Sequence, residues 1–561
     1  MTTRLLIIGL DGATFDLIEP WADDLPYLAR LMRDGAWGRL RSTVPPTTFP
    51  AWTSFMTGVN PGRHGVFDFT RRLPGTYRVE FVNATHRRAP TLWRILSDAG
   101  LRVGVMGVPA TYPPEHLNGF QISGFDAPVA VGIDRSFVHP PELYDEIRRA
   151  VGEYRITDFQ EVHIGPGWHE RAYHSLLEVL TVRQAIAAYL LHRGPWDCFM
   201  VLFGEADTVS HHFWLYHDPA SPRFDPAGAQ DFGDAIRTVY RRLDEAVGAL
   251  LALAPDAQVV IASDHGFGGA GGKAVYINRR LAECGLLRFR PRGLVDRGTN
   301  AAKRLALRLP AGAQERLFRW AGPWTGALES HSRFAGLDWA GTLAFSEEQN
   351  TLPGVWLNVQ GREPAGVIPP GEYETVREAV IAALCTWRDP VTSQAVVARA
   401  WRREEIYQGP YVDEAPDIVL EFALDEGYSY AVQSSGGQPG PAGRVLERHE
   451  HVGAKGPGMN GTHRPAGVLL LAGPGIRPGI RLHGARIVDV APTVLHLLGQ
   501  PVPAYMDGRV LIEALTAGGL PSDRGRRPPA DGSAGVPTPY TPAEEATVAA
   551  RLRALGYLES W

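Results

Sequence analysis

The chain has 561 residues, 44% of them hydrophobic and 21% charged, with a formal net charge of -5 at pH 7. That length supports a large core or several domains, and the composition is that of an ordinary globular protein. The mild acidity excludes broad, non-specific attraction to nucleic-acid polymers, which needs a surplus of Lys and Arg.

At the N-terminus, Leu5–Leu10 is an apolar run too short for a signal-peptide core, and Asp11 ends it abruptly. No stretch of 18 apolar residues follows anywhere, so no membrane span is expected. Three cysteines, Cys198, Cys284 and Cys385, lie far apart without a CxxC pair, which suggests neither a disulfide framework nor a thiolate metal site. A cytoplasmic location is the expectation; the oligomeric state is left open.

Leu5–Leu10, Val103–Val108, Cys198–Phe203, Val259–Ala262 and Val468–Leu471 read as buried strands of a parallel sheet. Helical patterns such as Leu176–Leu191 and Ile236–Leu253 lie between them, so the fold class is α/β. Residues 1–280 and 451–517 are read as the two parts of one α/β core. Residues 281–450 are read as cap-like insertions, with a helix at Tyr373–Leu384 and strands returning to the sheet edge near Asp417–Glu421. Ala301–Trp320 has a basic amphipathic helical pattern. Residues 518–539 are dense in Pro, Gly, Ser and Arg and read as a linker. Residues 540–561 read as a C-terminal helix opened by Thr541 and the acids that follow.

Three of the strands run directly into acidic residues: Asp11 after the first, Asp207 after Cys198–Phe203, and Asp264-His265 after Val259–Ala262. Open α/β sheets build their sites at such carboxyl ends. In Asp207-Thr-Val-Ser-His211 a helical i, i+4 spacing puts a carboxylate and an imidazole on one face, a geometry that suits one metal ion. Gly12 and Gly266 permit the backbone to turn after Asp11 and His265. Thr48 follows a proline-stiffened loop at the start of a predicted helix, where N–H groups and the dipole favour an anion. Metal coordination can activate its hydroxyl as a nucleophile. Taken singly, each of these residues has an ordinary structural role open to it: a capping Asp or Thr, a loop histidine at His463. Lys273, Arg63 and Arg464 are expected in salt bridges, His64 in a structural role, and His449-Glu-His451 at the surface.

The ordered set resembles the alkaline phosphatase superfamily, and within it the type I phosphodiesterase/nucleotide pyrophosphatase branch. The resemblance is carried by Thr47-Thr48-Phe49-Pro50-Ala51-Trp52, Thr57-Gly58, Gly62-Arg-His-Gly65, Ser263-Asp264-His265-Gly266-Phe267, Gly461-x-His463 and the closing Leu555-Gly-Tyr-Leu558. It implies an alkaline phosphatase-like, mostly parallel sheet flanked by helices, and two divalent ions, zinc or alternatively manganese. Asp207, His211 and His463 would hold one ion; Asp11, Thr48, Asp264 and His265 would hold the other. Thr48 would form a phosphothreonine intermediate on a small phosphoester substrate. The family also places an Asn shortly after His-Gly to bind a phosphate oxygen. Here Val-Phe-Asp-Phe follows Gly65, and Asn83 lies further on. Three functions remain open: a phosphodiesterase, a phosphomonoesterase or phosphomutase on the same scaffold, and a catalytically silent metal-binding scaffold.

Overall fold

The computed structural model describes residues 2–125, 134–155, 167–290, 333–334, 336–348, 351–452 and 458–516, with 540–541, 544–545 and 548–549. Its centre is a nine-stranded sheet. From edge to edge the strands are Ile480–Arg481, Ala36–Arg41, Ala466–Ala472, Gln258–Ala262, Leu5–Leu10, Cys198–Phe203, Val103–Val108, Gly119–Ser123 and Val138–His139. The five consecutive strands from Gln258–Ala262 to Gly119–Ser123 are parallel. Ala466–Ala472 departs from the expectation of a parallel strand, because it runs antiparallel to both neighbours. An apolar run reports burial on both faces but carries no information on direction.

The period-two alternation of the strands divides their side chains between two cores. Leu6, Ile8, Phe199, Val201 and Ile261 enter one core with the helices Trp168–His192 and Ala235–Leu253. Leu5, Ile7, Met200, Leu202 and Val260 enter the other, with Trp52, Phe55, Trp93 and Val494 from the helices Thr48–Thr57, Leu92–Asp98 and Val490–Leu497. Ile236, Val239, Tyr240, Leu243, Val247 and Leu250 form the buried stripe of their helix, at the spacing of an amphipathic α-helix.

The insertion contains the expected helix, at Tyr373–Cys385. The strand expected at the edge of the main sheet is instead Ile418–Phe422, inside a separate four-stranded antiparallel sheet with Ala344–Phe345, Gly354–Leu357 and Val397–Arg402. Both of its edges pair with strands of the insertion, so no edge remains for the main sheet. Ala301–Trp320, the 518–539 stretch and Leu555–Leu558 lie outside the described residues. Tyr540, Val548 and Ala549 are buried in the first core, where Tyr540 stacks on Tyr112. No helix among the described residues is long and apolar enough to cross a membrane.

A candidate metal centre

The register aligns Leu10 with Phe203, and Gly9 with Ala262. Asp11, the Gly204-Glu205-Ala206-Asp207 turn and Asp264-His265 therefore leave three adjacent strands at one level. Gly12 adopts φ +67°, and a Cβ there would lie 3.0 Å from Asp207 Cα and Cβ, so only glycine lets the first two turns approach this closely. Asp207 and His211 sit on the helix Glu205–His217, with His211 Nε2 3.2 Å from Asp207 Oδ1. His463 arrives on the short strand Gly461–Arg464, which pairs antiparallel with Gly266–Val275 and sets His463 opposite Phe267.

The three imidazoles share one hydrogen-bonding pattern. His211 Nδ1 lies 2.7 Å from Gly461 O, His463 Nδ1 2.9 Å from Pro46 O, and His265 Nδ1 3.1 Å from Gly266 O. A backbone carbonyl only accepts, so each Nδ1 carries the proton and each Nε2 presents a lone pair. These Nε2 atoms converge. Those of His211 and His463 are 3.1 Å apart, and each is 3.2 Å from Asp207 Oδ1. His265 Nε2 is 3.2 Å from Asp264 Oδ2, 3.7 Å from Asp11 Oδ1 and 3.9 Å from Asp207 Oδ1. Lone pairs facing lone pairs and carboxylates are mutually repulsive unless cations lie between them. This donor set of carboxylate oxygens and imidazole nitrogens fits divalent ions.

Two groups offer ligand atoms within 4.8 Å of one another: Asp207 with His265 and His463, and Asp11 with Asp264 and His265. The second matches the carboxylate–imidazole part of the set expected from the sequence. The first contains His265 in place of the expected His211, whose Nε2 lies 3.2 Å from Asp207 Oδ1 and 3.1 Å from His463 Nε2. Burial pushes the Asp264 carboxyl well above its ordinary range, and the charges of Asp11 and Asp207 push it the same way. Burial holds His265 well below the usual imidazole value, in keeping with a neutral ring.

Thr48 is the first residue of the helix Thr48–Thr57 and is 1% exposed. Its Oγ1 has no hydrogen-bond partner among the described residues. The flanking contacts bracket it. Pro46, two residues before, accepts from His463, while Trp52, one turn after, donates from Nε1 to Asp11 Oδ2 at 3.0 Å. Ala51 N donates to Thr47 O and Pro50 has no N–H, so the N–H groups of Thr48 and Phe49 sit at the open helix end.

His64 is fully buried. Its Nδ1 accepts from Val66 N, so Nε2 carries the proton toward Ser54 Oγ at 3.0 Å, tying this turn to the Thr48 helix. Burial, reinforced by Arg87, lowers its pKa to about 3 and keeps it neutral. Asn83 Oδ1 caps the turn Ala84–His86, accepting from Thr85 N and Oγ1. Asp68, in the loop after Gly65, accepts from Thr351 Oγ1 and Leu352 N and so anchors the insertion. Arg63 pairs with Asp507, and Lys273 with Asp389 and Asp425, as expected. Arg464 does not follow that expectation: it bonds Ser429 Oγ, Gly269 O and Gly427 O, and forms no ion pair among the described residues. The carbonyl partners of the three histidines and the Trp52 contact were not foreseen from the sequence. The i, i+4 spacing of Thr48 and Trp52 is the one signal that pointed to the latter.

The sequence model of the type I phosphodiesterase / nucleotide pyrophosphatase family matches residues 5–458. Over 59 residues the chain is 48% identical to a 2,3-bisphosphoglycerate-independent phosphoglycerate mutase of Cereibacter sphaeroides, covering 10% of this chain and 11% of that protein. Over 117 residues it is 25% identical to ectonucleotide pyrophosphatase/phosphodiesterase family member 1 of Homo sapiens, covering 20% of this chain and 13% of that protein. The aligned segments thus span only 11% to 13% of these relatives' own length. Among solved structures, murine ectonucleotide pyrophosphatase / phosphodiesterase 5 in complex with AMP superposes with a TM-score of 0.46 at 13% identity, covering 92% of this chain and 100% of that one. Phosphonoacetate hydrolase from Sinorhizobium meliloti, in complex with phosphonoformate, gives 0.48 at 16% identity, covering 87% of this chain and 94% of that one.

Proposed function

Because the chain belongs to the type I phosphodiesterase / nucleotide pyrophosphatase family, we propose that it is a two-metal phosphodiesterase acting on a small phosphoester through a phosphothreonine intermediate. The observation that carries this reading is the convergence of three imidazole lone pairs and three carboxylates, tied through Pro46 and Trp52 to Thr48, whose buried hydroxyl has no hydrogen-bond partner among the described residues. Asp207, His211 and His463 would hold one ion, and Asp11, Thr48, Asp264 and His265 the other; zinc suits this donor set and manganese is the alternative. Bound divalent ions would supply Lewis-acid charge that lowers the pKa of the Thr48 hydroxyl and neutralises the leaving alkoxide.

The residues of the chain divide the remaining work. The N–H groups of Thr48 and Phe49 at the helix end receive a phosphoryl oxygen. Thr48 Oγ1 attacks phosphorus as its proton leaves to solvent, and the bond to the leaving oxygen breaks. Water then attacks the phosphothreonine, restores the hydroxyl and releases the product. Asp68 carries no side-chain amide and Asn83 Oδ1 caps its own turn, which leaves the substrate unspecified beyond a phosphoester. A cytoplasmic location belongs to the same reading, supported by three unpaired cysteines.

The match to phosphoglycerate mutases favours a phosphomonoester as the second reading. One experiment separates the two: hydrolysis of bis-p-nitrophenyl phosphate against p-nitrophenyl phosphate, with zinc or manganese, by wild type and Thr48→Ala. Diester preference abolished by the substitution supports the proposal. Monoester preference, equally abolished, moves the protein to the phosphatase or mutase reading. Turnover that survives in Thr48→Ala removes the nucleophile, and no turnover by the metal-loaded wild type leaves a narrow specificity or the silent scaffold.

A further inference from the structure

We propose that Trp52 is a positioning residue of the metal centre, its indole N–H fixing the Asp11 carboxylate so that the other oxygen faces the ion. The assignment rests on the two-ion reading above.

Trp52 lies on the nucleophile's own helix, one turn beyond Thr48, and is fully buried. Its Nε1 donates to Asp11 Oδ2 at 3.0 Å, while Asp11 Oδ1 faces His265 Nε2 at 3.7 Å. An indole nitrogen is a donor only. It can neither ligate a metal nor take a proton from the carboxylate, so it commits one oxygen as acceptor and leaves the other for the ion. Without such a partner a carboxylate can rotate about its Cβ–Cγ bond and present either oxygen, or both.

The ring itself is held. Phe55 packs edge-on at 5.1 Å, and a Cβ on Gly9 would come within 2.9 Å of Trp52 Cη2, so the first strand closes on the indole. Four of the other ligands are oriented by backbone: three carbonyls for the imidazoles, and Gly12 N, at 3.3 Å, for Asp264 Oδ1. At Asp11 a side chain performs this task from the helix that carries Thr48. The separation between nucleophile and ligand is therefore set by one helical turn and one hydrogen bond, although the two residues stand on different elements.

The test is zinc alone, titrated against a competing chelator into the stripped full chain, for wild type, Trp52→Phe and Leu498→Ala. Wild type is expected to take up two ions. Trp52→Phe is expected to weaken one binding step by about tenfold to a hundredfold, the usual effect of removing a group that orients a ligand, and to leave the other step unchanged. Leu498→Ala, which damages the same core at the start of the first strand, where Arg4 meets the Leu498 carbonyl, is expected to leave both steps unchanged. Replacing Trp52 by benzothienylalanine, with sulfur in place of the N–H, keeps the shape and should reproduce the single-step loss. Unchanged binding in that variant, equal weakening of both steps, or the same loss in Leu498→Ala would overturn the assignment alone. A wild type that binds no zinc would overturn the two-ion reading itself.

Discussion

Thr48→Val tests whether the hydroxyl of the proposed nucleophile is held for chemistry at the expense of stability. Threonine and valine share their shape, and their helix propensities are similar, so the substitution removes only the polarity of one atom. That atom is buried: Thr48 is 1% exposed and Oγ1 finds no hydrogen-bond partner among the described residues. A buried hydroxyl without a partner costs about 1–3 kcal/mol. In chelator-stripped protein Thr48→Val should therefore be more stable than wild type by roughly that amount. With zinc bound the sign should reverse, because wild type then gains a ligand interaction that valine cannot make, and ligand binding adds to native stability. Urea denaturation of both proteins with and without zinc measures the two differences, and diester hydrolysis should fall by roughly 10⁴-fold or more. A variant that is less stable than wild type in the stripped state, or shifted equally in both states, would refute the reasoning.

Asp68 is buried, and that burial lifts its pKa from 3.8 to about 6 despite hydrogen bonds from Thr351, Leu352 and Phe69 and the charge of Arg333. A folded-state value above the unfolded one means stability that is present below about pH 4 and lost as the pH rises through 6, by about 3 kcal/mol. The difference in melting temperature between Asp68→Asn and wild type should thus move in favour of the variant from pH 4 to pH 7; a flat difference would contradict this. Gly461→Ala places a Cβ 2.4 Å from Ser210 O and 2.6 Å from the Phe267 ring, displacing the carbonyl that orients His211. Roughly tenfold weaker zinc uptake is the expected result, and unaltered uptake would count against that role. Ending the chain at Thr516 removes Tyr540, whose ring stacks on Tyr112 and whose hydroxyl reaches Val82 O. A loss of roughly 3 kcal/mol from the uncovered apolar surface should appear as a lower melting temperature, and an unchanged melt would mean that the docked segment contributes nothing.

Much of the central sheet was legible because burial on both faces writes itself into composition. Leu5–Leu10, Val103–Val108 and Cys198–Phe203 occupy the very residues expected of them. Strand direction was not legible, as Ala466–Ala472 demonstrates, nor was sheet membership, as Ile418–Phe422 demonstrates. Both depend on which partner a strand meets, and an apolar pattern is common to all partners. Arg464 illustrates the same limit for charge, since an arginine's donors are satisfied equally by neutral oxygens when carboxylates lie elsewhere.

The sequence by itself determined the candidate groups of the site: a carboxylate after each of three strands, an i, i+4 Asp–His pair, and a threonine at a helix start. These are local facts, set by chain periodicity and by the positions of glycine and proline. Tertiary structure alone decided how the groups face one another. Asp11 and Trp52 are 41 residues apart, His463 and Pro46 417, and His211 and Gly461 250. Such contacts exist only once strand register and helix packing bring distant segments together. Several of the partners are backbone carbonyls, which every residue carries. The ring tautomers, the convergence of the lone pairs and the oxygen that Asp11 turns inward were therefore properties of the fold.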